Sequence, residues 1–201
     1  MSEVATAMRI RYKRHFATLT FAVLIFWFVL AYDTVPGGVD RLLFYFCLIG
    51  ALHATSLVVS LRDHKGWVSS FAFIALAAIL SVATLFSIFL PAWLFSQVTS
   101  LRQDPKLFLS LGLASAFGAS AYWLVIRCFW LKSLRFLDLI MTAAICAAAA
   151  VLSWLGAGMI TPTTGRWNPG DVIPTAAWWV AFSLSLLLSE ERVQKTDSLT
   201  P

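Results

Sequence analysis

Two side chains in this sequence pair a reactive group with an apolar setting, and they lie far apart. His53 sits past the middle of an apolar run, beside Thr55 and Ser56. An imidazole at such a depth can relay protons, ligate a metal or contact a solute. It has no sequence companion: His15 and His64 fall at predicted helix ends on the cytoplasmic surface, so paired axial ligands for a haem are missing. Structural hydrogen bonding is the expected role. Asp138 is the acid that falls clearly inside a run, three residues after Arg135. Residues at i and i+3 face one another on a helix, so an intrahelical Arg135–Asp138 pair is expected. Close to a helix end the charge also escapes most of the roughly 2.5–3.5 kcal/mol that mid-bilayer insertion costs. With Arg127, Lys132 and Arg135 it could form a basic surface suited to anionic lipid headgroups.

Other chemistries fail on spacing. Gly118-Ala119-Ser120-Ala121 has the GxS outline of an intramembrane serine nucleophile, but that serine needs a general base beside it. The last histidine is His64, two helices earlier, and the dyad is excluded. The sequence holds no HExxH, paired intramembrane aspartates, Walker A or GxGxxG pattern. Cys47, Cys128 and Cys146 show neither CxxC spacing nor an even count, which argues against a disulfide framework or a thiolate metal site. No catalytic residue, cofactor or metal is expected, and buried small apolar side chains is the reading for the cysteines.

The elements that must position these residues are six long apolar runs, placed at about 16–32, 42–61, 67–90, 107–126, 136–155 and 172–188. Hydrophobic residues make up 60% of the 201 and charged residues 12%, against about 45–50% and about 25% in soluble domains. Hydrocarbon offers backbone polar groups no partner, so each run must satisfy its own as a helix. The expected fold is all-α: one polytopic bundle of six transmembrane helices filling residues 1–201, with 189–201 as a cytoplasmic tail. Basic residues precede the first run, which is too long for a signal-peptide core and lacks a cleavage site, so it reads as an uncleaved helix. Pro91 is expected to end or bend helix 3, with a short interfacial helix after it. Helix 6, at 172–188, stands at the lower length limit for a span.

Basic residues orient the bundle. Arg9, Arg11, Lys13, Arg14, Arg62 and Lys65 fall on one side, together with Arg127, Lys132, Arg135, Arg192 and Lys195. Arg41, Arg102, Lys106 and Arg166 fall on the other. Eleven against four places both termini in the cytoplasm. The net charge of +5 therefore reflects orientation rather than nucleic-acid binding.

Trp67, Trp93, Trp123, Trp130, Trp154 and Trp167 fall near predicted helix ends and read as interfacial anchors; Trp178-Trp179, deeper in helix 6, read as lipid-facing. Ser110, Ala114 and Gly118 on helix 4, and Ala143 and Ala147 on helix 5, form small-residue stripes that bring those two helices together. The long outer loop at 161–171 offers Arg166, Trp167 and Asn168 as partner contacts.

These features describe a multi-pass inner-membrane protein of bacterial type that acts without catalysis. Its expected role is that of an accessory or assembly subunit, or an immunity-type binder, contacting lipids and another membrane protein or itself. A small-solute transporter or channel subunit is the alternative, and a lipid-modifying enzyme a distant third.

Overall fold

Six α-helices account for nearly all of what the computed structural model describes, residues 3–31, 39–61, 66–96, 103–129, 134–160 and 169–197; these residues contain no strand. The helices are α1 (Glu3–Ala31), α2 (Val39–Leu61), α3 (Trp67–Ser96), α4 (Gln103–Phe129), α5 (Phe136–Ile160) and α6 (Pro169–Asp197). Five carry apolar windows long enough to cross a bilayer: Tyr12–Leu30, Trp67–Thr84, Phe108–Cys128, Phe136–Gly156 and Val172–Arg192. The apolar stretch of α2, Leu43–Val59, is shorter, although the helix itself has 23 residues.

Most helices outrun their apolar runs. Hydropathy marks where the chain leaves hydrocarbon, whereas a helix stops only where something breaks it. The sequence from 175 to 200 contains neither Gly nor Pro, and α6 accordingly continues to Asp197 through what hydropathy alone reads as a tail. At 29 residues it is not marginal. Likewise, α3 runs through Pro91 to Ser96 as one 30-residue helix, and the expected break with a separate interfacial helix is not found. At 1.5 Å per residue α3 measures about 45 Å, so the segment from Pro91 lies beyond a hydrocarbon slab of about 30 Å, where water can satisfy the carbonyl that a proline leaves without a donor.

Packing follows chain order. Each helix lies against the next, α6 closes back onto α1, and α6 also touches α2. One apolar cluster joins α2 to α6 around Leu57, Phe73, Trp123, Ile126 and Phe182; a second sets Leu19 and Phe26 of α1 against Tyr45 and Trp179. Bulky apolar side chains also cover the outside, with Phe21, Val68, Phe71, Leu137 and Leu152 all more than 60% exposed. Such a surface would aggregate in water and is ordinary against lipid.

The small residues work at different seams from those their spacing suggests. A Cβ on Gly118 would lie 2.9 Å from Thr84 Oγ1 of α3, so this position serves the α3–α4 seam. Gly112 faces Val151 of α5 at 3.5 Å. On α5 the buried line is Asp138, Thr142, Cys146 and Ala150, while Ala143 and Ala147 are only half-buried. α4 and α5 do pack together, as their composition implies.

Candidate functional site

Tyr122 on α4 is the point where three helices meet. Its hydroxyl lies 3.2 Å from the carbonyl oxygens of Gly50 on α2 and Ala77 on α3, to either of which it donates, and 3.3 Å from Ser81 Oγ. Gly50 makes this possible: a Cβ there would meet the Ala77 carbonyl oxygen at 2.5 Å. α2 and α3 touch backbone to backbone, and the phenol of Tyr122 reaches across the contact.

One turn further along α2, His53 is fully buried in a box of four aromatic rings. The centroids of Tyr122, Trp178 and Phe182 lie 5.5 Å from the imidazole, and Trp179 lies parallel to it at 5.6 Å, 5° off plane. Three of the four come from α6, where positions 178, 179 and 182 share a face. Among the described residues neither His53 ring nitrogen has a hydrogen-bond partner. The expectation of structural hydrogen bonding is therefore wrong for the side chain; in this helix it is Ser56 that bonds, donating to the His53 carbonyl at 2.8 Å. The tryptophan pair does not face lipid either: Trp179 is fully buried, and Trp178 donates its indole N–H to the Ser115 carbonyl of α4 at 3.3 Å.

Beside this box the helices leave a cavity of about 160 Å³. Tyr122, Trp178 and Trp179 belong to both, and Ser81, Thr84 and Ala114 are among the residues that complete its lining. No ionised side chain lines it.

The second polar cluster joins α5 and α6. Asp138 stands at the third position of α5, where its carboxylate accepts the Arg135 backbone N–H at 3.1 Å, half of a capping box. Its charge partner is Arg192 of α6 at 3.9 Å, not the side chain of Arg135 as i, i+3 spacing implied. One turn on, Thr142 donates to the Asp138 carbonyl at 2.6 Å and lies 2.7 Å from Ser185 Oγ of α6. Ser189 donates in turn to the Ser185 carbonyl at 2.9 Å, and Tyr12 of α1 reaches Glu191 at 3.5 Å. Glu190 is buried as well. Sequence reading missed this residue because it ended helix 6 at 188.

Several single placements also differ. His15, expected at the surface, is buried. Trp123 is fully buried instead of interfacial, with the Arg127 guanidinium 5.6 Å from its ring centroid. Trp67 and Trp154 are exposed. Cys146 is buried, whereas Cys47 and Cys128 lie on the outside, and all three are free thiols. Arg127 and Arg135 are exposed. His64, Trp130, Lys132, Arg166, Trp167 and Asn168 lie outside the described residues, as does the side chain of Trp93. Among the described residues no group of three or more His, Cys, Asp or Glu comes together to hold a metal ion.

Compared with protein-family models, with curated proteins and with solved structures, the chain matches none.

Proposed function

We infer that the protein is a multi-pass membrane protein that works without catalysis, through contacts with a second membrane protein or with lipid. One observation carries this reading: outside the box around His53, the buried groups that could do chemistry, those of Tyr122, Thr142 and Asp138, are spent on holding helices. Tyr122 ties α2, α3 and α4, Thr142 meets Ser185 between α5 and α6, and Asp138 caps α5 while pairing with Arg192. The broad apolar exterior is then the main surface left for recognition. Six spans with both termini cytoplasmic, in a bacterial inner membrane, accord with the eleven-to-four distribution of basic residues. α2 is the sixth span: its apolar stretch is short, but the helix has 23 residues, about 35 Å. Arg127, Lys132 and Arg135 supply the contacts to anionic headgroups, and Arg166, Trp167 and Asn168 those to a partner.

The cavity favours a second reading, a small-solute carrier, with His53 behind its wall. Purification from native membranes in mild detergent, followed by mass spectrometry of co-eluting proteins, separates the two. A stoichiometric membrane partner that is lost on Trp167→Ala supports the first reading. A protein that elutes alone and passes solute in liposomes, with flux abolished by His53→Ala, overturns it.

A further inference from the structure

The cavity and the box share three rings, and together they specify what could enter. Phe46, Tyr122, Trp178 and Trp179 present aromatic surface. Ser81, Thr84 and Ser115 bring hydroxyl-bearing side chains to the same space, and none of the lining groups carries a charge at neutral pH. A charged ligand would have to be desolvated among these rings without a counter-ion, at a cost of several kcal/mol. A long flexible ligand would lose rotamer freedom for little gain in polar contact. The volume of about 160 Å³ is close to the roughly 150 Å³ at which a protein cavity accepts benzene. His53, which is not among the lining residues, packs against two indoles and a phenol that are.

We propose that this cavity is a binding site for one small, neutral aromatic molecule bearing a single hydroxyl or N–H group, of the size of phenol or indole. The ring of the ligand meets Trp178, Trp179 and Phe46, and its polar group meets the hydroxyls on the α3 and α4 side. This goes beyond the partner-binding reading and does not depend on it, because the site lies inside a single copy of the chain.

The test uses the full-length protein in lipid nanodiscs, titrated with radiolabelled indole and, separately, with benzoate. Empty nanodiscs measure partition into lipid alone. Saturable binding of one indole per chain is expected, with benzoate at least tenfold weaker. Ala114→Phe, which fills the cavity, should abolish saturable binding while the gel-filtration profile and thermal midpoint stay native. If Ala114→Phe does not fold, Ala150→Leu fills the cavity from α5 and should have the same effect. Uptake that never saturates, or that matches empty discs, overturns the proposal. So does saturable binding that both filled variants retain, since the site must then lie elsewhere. A tightly retained phospholipid that native mass spectrometry detects in the wild type but not in Ala114→Phe also overturns it, by showing that an acyl chain occupies the space.

Discussion

The two buried polar clusters, around Thr142 and around His53, treat their polar atoms in opposite ways. Between α5 and α6 the hydroxyls of Thr142, Ser185 and Ser189 and the carboxylate of Asp138 have partners within 2.6–3.9 Å. Around His53 the Tyr122 hydroxyl and the Trp178 indole N–H reach neighbouring carbonyls, but both imidazole nitrogens and the Trp179 indole nitrogen have no hydrogen-bond partner among the described residues. The first cluster is a set of ties between helices, and its chemistry is used up in holding them. The second surrounds unspent polar capacity with aromatic rings beside a partly open cavity. Leaving a buried polar group unsatisfied costs about 1–3 kcal/mol, so a fold that keeps one needs a reason to do so.

Tyr122 borders both kinds of environment, which makes the α2–α3 contact beneath it the sharpest place to break the difference. Gly50→Leu would drive a side chain into the Ala77 backbone and separate the carbonyls that Tyr122 bridges. A loss of about 3 kcal/mol or more is expected, since two helix backbones must move apart. The readout is loss of the monodisperse gel-filtration peak in mild detergent. Retention of that peak at the wild-type thermal midpoint would mean that α2 and α3 are not in close contact.

Smaller effects are expected where one tie is cut and the backbones stay in place. Tyr122→Phe removes a single hydroxyl, and the two carbonyls keep their own helical hydrogen bonds; about 1–1.5 kcal/mol should be lost. Thr142→Val should cost about 1 kcal/mol by stranding the Ser185 hydroxyl. A Thr142→Val, Ser185→Ala double variant should recover part of that loss, because no unpaired hydroxyl remains. Reversible unfolding in mixed micelles measures these three and the Ser185→Ala single variant that completes the cycle. If the double variant loses the sum of the two single effects, the 2.7 Å contact contributes nothing by itself.

How much of this was legible in the sequence depended on whether a signal was local. Helix number and order followed from hydropathy, because the bilayer allows no other spanning element for such runs. Helix ends did not follow: charged residues such as Glu190 and Arg192 remain helical past the apolar run, and Pro91 does not interrupt α3. Asp138 was placed correctly near a helix start, but its partner Arg192 is 54 positions away and belongs to α6. The aromatic box was hidden for the same reason. Trp178, Trp179 and Phe182 show helical spacing on α6, yet nothing local distinguishes a face that meets lipid from one that meets His53 of α2. Gly50 carried a usable signal, a lone glycine inside an apolar helix, which often marks close backbone approach.

A smaller change tests the capped end of α5. Asp138→Ala removes the acceptor for the Arg135 N–H and the counter-charge of Arg192, and about 1 kcal/mol should be lost. Asp138→Asn keeps a capping oxygen and cannot pair with Arg192, which is largely exposed. Its cost should fall below about 0.5 kcal/mol, the value of a screened surface pair. Equal losses in the two variants would show that the charge, not the cap, matters.

The smallest stability change is expected at the most conspicuous residue. His53→Phe keeps a planar ring of similar size in the box and removes two nitrogens that bond to nothing. In water-based accounting this would stabilise by the relieved penalty, but an unfolded chain still held in the bilayer also lacks water, so most of the gain cancels. The thermal midpoint should therefore stay the same or rise slightly. His53→Ala, by contrast, leaves four rings facing a void and should lose about 2–4 kcal/mol. If His53 serves only to fill the box, every function of the protein should survive His53→Phe. A variant that is as stable as the wild type but inactive in the liposome flux assay would show that the two nitrogens are kept for use. A variant as unstable as His53→Ala would show that the imidazole has a partner after all, and the contrast between the two clusters would disappear.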